Sequence, residues 1–155
     1  MSDFKKDFEN NLNALLVDTF NNILKYEELC LKSIYNVSVT VSEAHIIDSI
    51  GKAGKPSVSE LAGLLGITPP TATVAVQKLE RKGFLTKARD ETDARKSFLC
   101  LTETGARVNK AHSLFHRRLV RNISGQFDDR EKEILLTAMR KISQYFKNKV
   151  GLDEP

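Results

Sequence analysis

The chain has 155 residues, with 24 Lys+Arg against 20 Asp+Glu, a formal charge of +4 and a pI near 9.1. A hydrophobic content of 41% supports one globular domain with a full core and excludes disordered, collagen-like and disulfide-stapled chains. The apolar runs are too interrupted to span a bilayer and Met1 to Asp7 lacks a secretory apolar stretch; Cys30 and Cys100, without Cys-x-x-Cys spacing, fit a reduced, cytoplasmic protein.

Phe4, Phe8, Leu12, Leu15, Leu16, Phe20, Ile23 and Leu24 predict one long N-terminal helix with a wide apolar stripe. Thr40 and Glu43 form a capping box for a helix to about Gly51. Ser57 and Glu60 form another, ahead of Leu61, Leu64 and Leu65, and Gly66 ends that short helix. Thr68 opens the next, with Pro69 and Pro70 in the first turn, where a missing N–H does no harm. Its Ala72, Ala75, Val76 and Leu79 face inward, leaving Thr71, Thr73, Val74, Gln77, Lys78 and Arg81 outside. Hydroxyls, an amide, an exposed valine and two cations suit base edges, a thymine methyl and phosphates.

Gly83 stops this helix, and Phe84 to Ala88 and Ser97 to Leu101 read as two strands around a charged tip, Arg89 to Lys96. For an isolated hairpin such a tip is a solvated turn. Directly behind two helices joined by a sharp turn, it reads as a wing: Arg95 enters a minor groove, Asp93 braces it, and Lys87, Arg89 and Lys96 meet phosphates. Thr102 caps a long helix carrying Val108, Ala111, Phe115, Leu119 and Ile123. Asp128 with Glu131 caps the last, whose stripe is Ile134, Leu135, Ala138, Met139, Ile142, Tyr145 and Phe146. Gly151 to Pro155 reads as a tail.

The expected fold is mainly α with a small β-hairpin wing. It is one domain over 1–155, with a winged helix-turn-helix core of about 40–101 embedded in a helical dimerisation frame of 1–35 and 102–150. The terminal helices hold more large apolar residues than that core can absorb. A homodimer is therefore expected, burying Phe8, Leu12, Leu16, Ile142 and Phe146 against their copies. Two recognition helices would then meet an inverted repeat in double-stranded DNA, with half-sites about 34 Å apart. The expected DNA contacts are Ser57, Thr68, Thr71, Thr73, Val74, Gln77, Lys78, Arg81, Lys87, Arg89, Asp93, Arg95 and Lys96. No G-x-S-x-G, Walker A, G-x-G-x-x-G or H-E-x-x-H signature is present, so neither an enzyme nor a catalytic residue is expected.

Leu61-Ala62, the run Leu79 to Gly83, Asp93-Ala94-Arg95 and the run Leu101 to Gly105 together resemble the MarR family of bacterial transcription regulators. Many members carry Arg where Val74 stands, which shifts the major-groove contacts here toward apolar ones. Glu27-Glu28, Ser42 to Lys52, Leu79 to Gly83 and His112 to His116 more narrowly resemble the fatty-acid-synthesis repressor branch. That resemblance implies a repressor of fatty acid biosynthesis genes that grips DNA more tightly when long acyl chains on acyl carrier protein are bound. It also implies an apolar ligand pocket at Leu31, His45, Ile46, His112, Phe115 and His116, and no resident metal.

The alternative is a repressor responsive to zinc or another small ligand. His112 and His116 project from one helix face at metal-ligand spacing. The zinc-sensing branch of the family uses histidines from the same two helices. By that resemblance His45, His112 and His116 would bind the ion, with Glu27, Glu28, Cys30 or Glu43 completing the set. The peroxide-sensing branch places its reactive cysteine early in the first helix, unlike Cys30 and Cys100, which are expected to be inert.

Overall fold

The computed structural model describes residues 2–35, 39–89 and 97–150. The elements run α1 (Ser2–Tyr35), α2 (Val41–Ala53), α3 (Val58–Leu65), α4 (Pro69–Arg81), β1 (Leu85–Arg89), β2 (Ser97–Leu101), α5 (Glu103–Ser124) and α6 (Asp129–Val150).

Local chemistry sets the helix starts. Thr40 and Ser57 each take the N–H of the glutamate three residues on, at 3.2 Å, while that carboxylate takes the N–H of the cap residue. Asp128 and Glu131 repeat the exchange ahead of α6. Thr68 and Thr102 accept from the N–H of Thr71 and Gly105. These bonds satisfy backbone donors that have no partner inside the helix. Gly66 closes α3 in the left-handed region, at φ 63°, where an L side chain would be strained.

β1 and β2 pair antiparallel, with Lys87 opposite Leu99 and Arg89 opposite Ser97. The Leu99 N–H also donates to the Pro56 carbonyl at 2.8 Å, which ties the hairpin to the start of α3. Ile47, Ile50, Leu61, Val76, Leu79, Phe84, Leu85, Leu99 and Val108 fill one core beneath α2, α3, α4, the hairpin and α5. Gly105 lets α5 leave the hairpin at close range: a Cβ there would collide with the Phe84 carbonyl oxygen. Of the apolar residues of α3, Leu61 and Ala62 turn fully inward, while Leu64 stands 62% exposed.

The frame is different. α1 touches the core through its C-terminal part, where Glu27 and Leu31 are buried, whereas Phe4, Phe8, Leu15 and Phe20 face solvent. None of the principal contacts between elements involves α6, whose Ile134, Met139, Tyr145 and Phe146 are exposed. Among the described residues no helix is long and apolar enough to cross a membrane.

Candidate nucleic-acid interface and sensor site

α4 presents the face that its periodicity predicts. Ala72, Val76 and Leu79 are buried, while Thr71, Thr73, Val74, Gln77, Lys78 and Arg81 are exposed, Val74 at 65%. Val74 thus stands on the same open face as the hydroxyls, the amide and the two cations. Several of the hydroxyls already have intramolecular partners. Ser57 is committed to its cap, Thr68 and Thr71 share a bond of 2.9 Å, and Thr73 donates to the Pro69 carbonyl at 2.9 Å. A further partner for any of these hydroxyls has to compete with a local bond or use the second lone pair of the oxygen.

Lys87 on β1 is braced by Glu80 of α4 at 3.2 Å, and Arg89 ends the strand exposed to solvent. Asp93, Arg95 and Lys96 lie outside the described residues.

A contact without any signal in the residue spacing joins α4 to α2. Glu43, buried at the start of α2, receives Lys82 Nζ on Oε2 at 2.8 Å, and Lys78 Nζ lies 3.0 Å from Oε1. Burial opposes ionisation of this carboxyl, but the bonds from Lys82 and the Thr40 N–H, with the Lys78 ammonium close by, together outweigh it and hold it down at about 2.

The histidines converge on one glutamate. Glu27 of α1 is 1% exposed, and its Oε1 lies 2.9 Å from His112 Nε2, 3.1 Å from His45 Nε2 and 3.8 Å from His116 Nε2. His112 and His116 Nε2 are 3.0 Å apart. Asp48 of α2 stands behind the ring of His112, 3.6 Å from Nδ1, and is itself paired with Lys52 at 2.6 Å. Burial pushes the His112 imidazole below its ordinary value and the charge of His116 adds to this, against the pull of Glu27 and Asp48.

The other candidate acids go elsewhere: Glu28 pairs with Lys32 at 2.7 Å and Glu43 with the α4 lysines. Cys30 and Cys100 are half-buried thiols. Of the expected pocket residues, Leu31 belongs to the core with Ile46 packed against it. Phe115 is held between the Tyr26 and His116 rings. An open cavity of about 340 Å³ lies alongside, lined by Asp18, Thr19, Asn22, Ile23 and Tyr26 of α1 and Leu119 of α5.

A short helix and a recognition helix joined by a tight turn, backed by a two-stranded wing and carried on long terminal helices, define the winged helix-turn-helix regulators. The MarR family model matches residues 39–97. The transcriptional regulator BilQ of Clostridium symbiosum is 30% identical over 116 residues, which cover 74% of this chain and 80% of that protein. The transcriptional regulator ZitR of Lactococcus lactis is 25% identical over 126 residues, covering 79% and 86%. In three dimensions, FabT of Streptococcus pneumoniae, solved in complex with DNA, matches at a TM-score of 0.85 and 30% identity, covering 90% of this chain and 98% of that one.

The chain belongs to the MarR family and is a DNA-binding transcription regulator. Relatives matched in sequence are transcription regulators, not enzymes.

Proposed function

We propose that the chain is a homodimeric repressor of fatty acid biosynthesis genes, with long acyl groups on acyl carrier protein as its co-repressor. The likeness to FabT across nearly the whole chain carries this reading. The motifs of the fatty-acid-synthesis branch at Glu27-Glu28, Ser42 to Lys52 and His112 to His116 support it. In this reading α4 enters the major groove and the wing the adjacent minor groove. The exposed apolar faces of α1 and α6 form the two-fold interface. The cavity at Ile23, Tyr26 and Leu119 offers an apolar entrance for an acyl chain between α1 and α5. Gel-shift titration of the regulator's own upstream region, with and without palmitoyl-acyl carrier protein, tests it. Tighter binding with the acylated carrier and no change with the bare carrier is expected; equal affinity in both overturns it.

One observation favours a second effector. Ligand atoms from Glu27, His45, His112 and His116 all lie within 4.8 Å of one another. Ligands of a tetrahedral zinc ion with bonds of about 2.0–2.1 Å stand roughly 3.3 Å apart, close to the separations in this cluster. The four residues fit a zinc or similar first-row ion, and Asp48 behind His112 would orient that ring. His116, partly exposed, gives the ion a way in. Calorimetry with zinc on the intact chain and on His112→Ala separates the readings. Tight binding lost in the variant, with operator affinity changed by zinc alone, favours the metal; no binding removes it.

A further inference from the structure

We propose that Glu43 is a positioning residue for DNA binding: it keeps Lys82 as a fixed structural cation and competes with DNA phosphate for Lys78. The position of α2 then sets how much positive charge α4 presents to DNA. The inference rests on DNA binding through α4 and not on the identity of the effector.

The two lysines stand four residues apart, Lys78 in the last turn of α4 and Lys82 at its C-cap, and they reach different oxygens of one buried carboxylate. Oε2 is fully engaged, accepting from the Thr40 N–H at 3.0 Å and from Lys82 at 2.8 Å. Oε1 faces Lys78 as a charge contact of 3.0 Å but takes no aligned hydrogen bond. The lysines differ in exposure as well: the Lys82 side chain is 30% exposed and that of Lys78 54%. Removing both cations would strand a buried charge, which is strongly unfavourable. Removing Lys78 alone leaves Glu43 neutralised by Lys82 and by its backbone bond. Lys78 is therefore the cation that can be exchanged, and a phosphate offers it a full charge at the surface.

α2 is also the element that carries His45 and Asp48 to the histidine cluster. His45 lies two residues beyond Glu43, so the helix that contributes to the sensor site also holds the carboxylate that restrains Lys78. A shift of α2 that lengthens the contact from Glu43 to Lys78 frees charge for DNA; one that shortens it withholds charge.

The test uses the full chain and a mixed-sequence duplex of about 30 base pairs, long enough for two half-sites one helical turn apart. Binding is followed by fluorescence anisotropy between about 50 and 200 mM salt, where each released phosphate counterion contributes roughly 0.9 to the slope of log K against log salt. Glu43→Gln retains an acceptor for the Thr40 N–H but drops the charge. Its slope is expected to steepen by about 0.9 per subunit, and adding Lys78→Gln is expected to remove the gain. An unchanged slope in Glu43→Gln, or a gain that survives Lys78→Gln, overturns the proposal. If Glu43→Gln does not fold, Lys78→Gln alone decides. A measurable loss short of one phosphate per subunit supports competition from Glu43; no loss, or a full loss, overturns it. No binding by the wild-type chain would overturn the reading of α4 together with this one.

Discussion

Phe84 is 1% exposed and Phe20, the same residue type in the same chain, is 64% exposed. The first sits where α4 ends against the hairpin and α5, with Leu79, Leu85, Leu99 and Val108 in the same buried cluster. The second sits midway along α1, where none of the described residues covers it. The winged-helix core closes on itself because short connections return α2, α3, α4 and the hairpin to one centre. The frame helices are too long for the core they flank, since a helix rises about 1.5 Å per residue and α1 has 34 of them. Their apolar faces, with Phe4, Phe8, Leu15 and Phe20 on α1 and Ile134, Met139, Tyr145 and Phe146 on α6, stand open to solvent, as interaction surfaces do. The core is thus a finished unit, and the frame is complete only with the second copy proposed above.

The sharpest way to break that contrast is to damage each region with one substitution. Phe84→Ala should cost about 3–5 kcal/mol and lower the thermal midpoint at every protein concentration, read by circular dichroism. Phe8→Asp should leave the core folded and raise the concentration at which dimers form in sedimentation. Identical responses in the two variants would erase the distinction between core and frame.

Acid should find the core at the Glu43 contact. The carboxyl is held at about 2 against an ordinary 4.5, so its contribution is present in full above about pH 4.5 and is lost as pH falls through about 2. That contribution is of the order of 3 kcal/mol. Urea denaturation at pH 7 and pH 3 should show a loss in the wild-type chain that is smaller in Glu43→Gln. An equal loss in both would mean that other groups carry the acid sensitivity.

The wing should separate the two roles of charge in DNA binding. Arg95→Ala is expected to cost about 1–3 kcal/mol of operator affinity, most with A·T-rich flanks, and Lys96→Ala to flatten the salt slope by about one without changing sequence preference. Equal binding by Arg95→Ala and the wild type at fixed salt would leave α4 to carry recognition alone.

The smallest effect concerns a cap. Ser57→Ala removes the acceptor for the Glu60 N–H and should cost about 1 kcal/mol of stability in thermal melts. A loss of DNA affinity at unchanged stability would instead mean that the Ser57 hydroxyl works on a phosphate.

The sequence by itself determined the helix starts, the inward face of α4 and the hairpin that follows it. These depend on partners within a few residues: Ser57 and Glu60 are three apart, and Ala72, Val76 and Leu79 share a face through the helical period alone. Family motifs also led to the right class of protein: Gly83 answers to local geometry, a turn at φ 74°, whereas Gly105 answers to the close approach of the Phe84 carbonyl.

The tertiary structure decided which charges meet. The resemblance to the zinc-sensing branch left Glu27, Glu28, Cys30 and Glu43 as candidates to join the histidines, and packing of α1, α2 and α5 brings in Glu27. It turns Glu28 to Lys32 on its own helix and sends Glu43 across to Lys78 and Lys82. Periodicity tells which side chains share a face of one helix, but not which face of another helix lies opposite. That depends on how the buried side chains pack, and only the folded chain sets it.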